Sequence, residues 1–174
     1  DNGVARWTAL VLIALMMFFA YMFVDVLSPL STLLETSKGW TAETYGTFCS
    51  SEYFLNVFAF FLIFAGIILD KMGIRFTGIL SGAVMVIGAS IKLYAISDMF
   101  TPDSGLYRFL DSFWTSFPAT AKLASVGFMI FGCGVEMAGV TVSKAIARWF
   151  KGKEMALAMG LEMAIARLGV FAVF

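Results

Sequence analysis

From Trp7 to Val24 no charged residue occurs, and the run is apolar all round: WTALVLIALMMFFAYMFV. A helix without a polar face cannot sit at the surface of a water-soluble domain. At a rise of about 1.5 Å per residue it reaches most of the way across a hydrocarbon core about 30 Å thick. The same kind of run recurs along the chain, which predicts five membrane spans at 8–34, 44–69, 77–97, 121–147 and 155–174. The first begins directly after Arg6 and lacks a small-residue cleavage site, so it reads as a retained span rather than a signal peptide. The fold class expected is an all-α membrane protein.

Composition narrows the function. The chain is 60% hydrophobic, with 19 Phe, 11 Met and no histidine, and its formal net charge is zero. The lack of histidine removes His-based proton relays, His-ligated metals and Ser-His triads, and the charge balance gives no footing for nucleic acid. An embedded enzyme is disfavoured because no nucleophile–base constellation is present, and no cofactor is implied. Cys49 and Cys133 fall inside predicted spans and read as small core residues.

Basic residues set the expected orientation. Arg6, Lys71, Arg75, Arg148, Lys151 and Lys153 collect at the N-terminus and in the second and fourth connections. The opposite connections hold only Lys38 and Arg108 among several acids. Positive residues favour the cytoplasmic side, so the N-terminus is expected there. The long connection carrying Tyr107, Phe109, Phe113 and Trp114 would lie on the outer face as a short interfacial helix. Ser28-Pro29 should kink or loosen the first span. Gly78/Gly82 and Gly160/Ala164 would permit close helix contacts.

Charged residues inside spans are costly and usually mark a substrate or ion path. Glu136 and Arg167 are the deepest. Both stand about 15 residues from the turn between Lys151 and Gly152, hence roughly 20 Å along antiparallel helices and near mid-bilayer. They read either as a structural salt bridge or as a recognition pair, with Glu136 facing an ammonium and Arg167 a carboxylate. Asp25 and Glu52 form a second pair at matched depth, extended by Tyr53 and Asn56. These acids would line the cavity, or one of them would pair with a lysine elsewhere. Lys92, Lys122 and Lys144 lie near span ends and are expected to snorkel outward. Glu162 would pair with Lys144 near the rim.

The second connection reads Gly66-Ile-Ile-Leu-Asp-Lys-Met-Gly-Ile-Arg75. This resembles the G-x-x-x-D-[RK]-x-G-[RK]-[RK] signature between spans two and three of the major facilitator superfamily, with Ile74 departing from it. Gly66 would allow close packing, Asp70 would cap a helix end, and Gly73 would turn the chain. The turn Arg148-Trp-Phe-Lys-Gly-Lys-Glu154 is similar to the superfamily's fourth loop. Phe128 stands where an arginine is common, and the fifth span lacks G-P-x-x-G-G, which argues against drug/proton antiport. Within the superfamily the chain resembles the lysosomal dipeptide transporter branch and its bacterial relatives, most strongly over Gly132–Gly169.

The resemblance implies an N-terminal six-helix bundle, with five spans visible, of a twelve-helix transporter. It implies substrate contacts at Glu136 and Arg167, with Asp25, Glu52, Tyr53 and Asn56 beside them, and a gating loop of Gly66, Asp70, Gly73, Arg75 and Arg148. The cargo expected is a dipeptide or similar small zwitterion, moved by facilitative alternating access in the lipid bilayer of an inner or, alternatively, lysosomal membrane. An accessory subunit is not expected of a bacterial chain. An organic-anion carrier, recognising its cargo by Arg167 alone, and a non-transporting receptor or scaffold are the competing readings.

Overall fold

A computed structural model describes residues 2–58 and 60–174; Asp1 and Ala59, the latter within the expected second span, lie outside the described residues. The described residues form helices and no strand: α1 (Gly3–Val24), α2 (Ser31–Lys38), α3 (Ala42–Ser51), α4 (Phe54–Phe58), α5 (Phe61–Ile96), α6 (Gly105–Asp111), α7 (Ala119–Trp149) and α8 (Met155–Phe171). A single 3-10 turn, Ser28–Leu30, separates α1 from α2.

Side-chain neighbours fix how these helices run past one another. Trp40 Nε1 donates to Thr120 Oγ1 at 2.9 Å, and the Phe48 and Phe128 rings lie 4.8 Å apart. Glu52 presses its carbonyl on Gly132, and Asp70 Oδ1 meets Lys144 Nζ at 2.6 Å. The chain from α3 to Asp70 therefore runs alongside α7 in the same direction. At Gly73 the backbone leaves the helix, with φ 84 and ψ 170, and reverses. Gly78 then faces Thr141, Met85 packs on Gly134, and Gly88 lies against Phe131 and Gly127. The second part of α5 thus runs antiparallel to α7.

The remaining helices close the bundle. The Trp7 and Phe150 rings lie 5.1 Å apart, while Lys92, beside Gly127, reaches the Phe23 carbonyl. Hence α1 is antiparallel to α7. Helix α8 follows α1 in parallel, with Arg6 NH2 3.9 Å from Glu154 Oε2 and Gly169 against the Phe18 carbonyl. The N-terminus, the Gly73 reversal and the 150–154 turn share one end, and residues 25–41 and 97–118 share the other.

Helix α7 is the axis, buried along most of its length by Leu10, Met17, Met85 and Ala166 on one flank and by Leu27, Trp40 and Phe48 on the other. The outer surfaces are apolar. Ile63, Ile79 and Val86 are all more than half exposed, as lipid-facing residues would be. Three described segments are long and apolar enough to cross a membrane: Gly3–Lys38, Phe61–Ile96 and Ala119–Trp149.

The first span is loosened around Ser28-Pro29 as expected: α1 stops at Val24, and Pro29 opens the 3-10 turn, where its fixed φ and missing N–H cost least. Other expectations need correction. Residues 44–69 are likewise broken, between Ser51 and Phe54 and again at Phe60, whose φ is 51. Helix α8 has 17 residues. Lys92 and Lys122 do not snorkel outward: they are 3% and 6% exposed, turned to backbone carbonyls that helix ends leave unpaired. Close helix contact arises at Gly88, Gly127, Gly132, Gly134 and Gly169, whereas a side chain at Gly82 or Gly160 would meet nothing within 4 Å.

Candidate functional site

The break between α3 and α4 lies level with the middle of α7, and the break in α1 lies nearer its start, just past Phe23, whose carbonyl meets Lys92 beside Gly127; each carries an acid. Asp25 ends α1. Glu52 follows the last residue of α3, only 5% exposed, its backbone held against α7 because Gly132 lacks a side chain. A Cβ at Gly132 would overlap the Glu52 carbonyl, so any other residue would push the two helices apart. One turn along, Asn56 Nδ2 donates to the Gly132 carbonyl at 3.5 Å, while its buried Oδ1 has no partner.

Glu136 projects from α7 one turn beyond Gly132, and is partly buried. Glu52 lies within electrostatic range of Glu136, Lys92 and Asp25. Tyr53 lies within range of Glu52, Glu136, Tyr21 and Asp25. Arg167, exposed on α8, stacks its guanidinium over the Tyr21 ring at 5.3 Å. The residues singled out as substrate contacts thus fall in one neighbourhood between α1, α3–α4, α7 and α8. Glu136 and Arg167 make no ion pair within 4.0 Å; the pairs among the described residues are Arg6–Glu154, Lys38–Asp98 and Lys144–Asp70.

Two participants are missing from the sequence reading. Lys92 donates to the Phe23 carbonyl at 2.8 Å and lies over the Phe128 and Phe131 rings at 4.5 and 5.1 Å. Carbonyl and ring faces both favour a cation, so this buried ammonium is supported rather than stranded. Its signal in the sequence was the spacing from Gly88: four residues on, it faces the same close contact with α7. Tyr21, which bears Arg167, sits four residues before Asp25 and shares its helix face.

The arrangement gathers three carboxyl groups and two cationic side chains with two phenols. Among the described residues no group of His, Cys, Asp and Glu is placed to hold a metal ion.

The expected gating loop divides. Asp70 lies in the last turn before the Gly73 reversal and pairs with Lys144, which corrects the expected Lys144–Glu162 contact. A side chain at Gly66 would meet nothing within 4 Å among the described residues. Gly73 supplies the reversal. Arg75 and Arg148 face one cavity of about 760 Å³ at this end, together with Thr141 and Trp149.

Comparison with known proteins points one way. The chain is 30% identical to the lysosomal dipeptide transporter MFSD1 of Bos taurus over 107 residues, covering 61% of this chain and 19% of that protein. It is 26% identical to the same-named protein of Pongo abelii over 167 residues, covering 95% of this chain and 31% of the relative. A shorter stretch of 47 residues is 45% identical to the Danio rerio protein, covering 27% of this chain and 10% of the relative. No family model matches the chain, and no solved structure matches it. The chain spans less than a third of the length of these curated relatives. Over most of its length it resembles transporters of the major facilitator superfamily, and its helices are those of a multi-pass membrane protein.

Proposed function

We propose that this chain forms part of a membrane transporter that moves dipeptides or similar small zwitterions by alternating access. The carrying observation is the charged cluster: Asp25, Glu136 and Lys92 within electrostatic range of Glu52, and Arg167 over Tyr21, which with Tyr53 adjoins the acids. In this reading Arg167 holds the cargo carboxylate with its two-pronged donor set, and Tyr21 keeps the guanidinium in place from below. Glu136, with Glu52 behind it, receives the ammonium. Lys92 offsets part of the acid charge while the site is empty.

Glu136 and Arg167 make no ion pair with each other, which in this reading leaves both for a ligand. A pseudo-symmetric second half would close the cavity near the midplane, and rocking of the halves would expose it to each side in turn. The end with Arg6, Arg75 and Arg148 would face the cytoplasm. Transport would be facilitative, and Gly73, Asp70, Arg75 and Arg148 would set the stability of one cytoplasmic gate state.

The test uses the full-length protein in sealed vesicles. Dipeptide uptake is expected, with Glu136→Gln and Arg167→Ala each weakening it about tenfold or more, as the loss of one charged hydrogen bond of about 1.5–3 kcal/mol requires. Dipeptides should raise the melting temperature, while N-acetylated or C-amidated versions should not. Uptake unchanged in both variants would remove this reading. Uptake of carboxylates without an amino group, at equal affinity, would favour an organic-anion carrier.

A further inference from the structure

A second cavity, of about 540 Å³, opens between α3–α4 and the α6–α7 corner, and Tyr53 lines it. That size lies within the range of small-ligand pockets, roughly 300–1,000 Å³. Its walls are mainly aromatic and aliphatic: Phe54, Val57, Phe113, Trp114, Phe117 and Val126. The Trp114 and Phe117 rings stack at 4.8 Å. Lys122 pins this wall by donating to the carbonyls of Leu110 and Phe113, with its ammonium 4.5 Å from the Phe113 ring centroid. The pocket is therefore anchored to α7.

One polar atom in it is unmet. Ser125 is 7% exposed and lines the cavity, yet its buried Oγ has no hydrogen-bond partner. Hydroxyls within helices normally bond back to the carbonyl four residues before, as Ser50, Ser90 and Thr141 do here. A buried hydroxyl left without a partner is costly, so a ligand group reaching it recovers that cost. Tyr53 joins the two regions: it borders this cavity and lies within electrostatic range of Glu52 and Glu136.

We infer that this cavity is the side-chain subsite of the cargo site, taking an aromatic side chain with a polar tip that meets Ser125, while the charged cluster holds the backbone termini. The inference rests on the zwitterion reading above. In full-length protein, uptake of Gly-Tyr is compared with uptake of Gly-Gly for the parent, Val126→Trp and Val57→Trp. Both positions are substantially exposed, so added bulk fills the cavity rather than the core. Each variant should raise KM for Gly-Tyr about tenfold or more while leaving Gly-Gly within about twofold, the selectivity that a filled apolar pocket produces. A melting curve matching the parent's shows which variants are folded, and two opposite walls guard against one failing. If the parent carries both peptides and neither folded variant changes their ratio, the subsite is overturned and the zwitterion reading stands. If the parent carries neither peptide, both fall.

Discussion

At the scale of single residues, what decides the consequence of a charge is where its tip ends. Lys38 reaches Asp98 Oδ1 at 3.1 Å, but the acid is fully exposed, so water screens the pair and it contributes little. Lys92 makes a bond of similar length to a carbonyl while 3% exposed, and a buried charged bond is worth about 1.5–3 kcal/mol. Lys38→Met should leave the melting temperature of the detergent-purified protein nearly unchanged, whereas Lys92→Met should lower it clearly. Equal shifts would mean that Lys92 is not held as described. A glycine pair gives the matching contrast without charge. Gly132→Val drives a side chain into the Glu52 backbone, an overpacking cost of about 1–3 kcal/mol, while a Cβ at Gly139 meets nothing within 4 Å. Gly132→Val should therefore destabilise and disturb the acid cluster, and Gly139→Ala should do neither. Depth along the chain was enough to single out Glu136 and Arg167. It did not tell which way a long flexible side chain bends, which is why Lys92 and Lys122 were assigned to the surface.

At the scale of elements, the reversal at Gly73 was readable because its cause is local. Its φ of 84 with ψ 170 is a region essentially closed to other residues, at about 1–3 kcal/mol. Gly73→Ala should lower stability by that order, read by thermal unfolding, while Gly66→Ala, in open helical surroundings, should not. The break between α3 and α4 was not readable. Residues 51–58 carry no proline or glycine to announce it, and the contact beside it is tertiary: the Glu52 carbonyl against Gly132, eighty residues along. Helix α6 depends on a tertiary clamp as well, since Lys122 ties the Leu110 and Phe113 carbonyls to α7. Lys122→Met should leave the bundle folded but open the 105–118 segment to limited proteolysis; cleavage no faster than in the parent would show the clamp to be dispensable.

For the whole molecule, the order of contacts along α7 makes a statement about topology that no single residue carries. Trp40, Phe48, Glu52 and Asp70 climb α7 in step with Thr120, Phe128, Gly132 and Lys144, and Gly78, Met85 and Gly88 descend it. Helices α1 and α8 run alongside one another, locked at the shared end by Arg6, Phe150 and Glu154. Lys71 and Lys153 must then lie at one end of the bundle, and Asp103 at the other. Charged loops do not cross a hydrocarbon core unaided, so the two ends face different aqueous compartments. Single cysteines introduced as Lys71→Cys and Lys153→Cys, with Cys49 and Cys133 replaced by alanine, should react with an impermeant thiol reagent from one side of sealed vesicles. Asp103→Cys should react only from the other. Labelling of Lys71→Cys and Lys153→Cys from opposite sides would mean that the chain does not reverse at Gly73, and the shared neighbourhood of Asp25, Glu52, Glu136 and Arg167 would go with it.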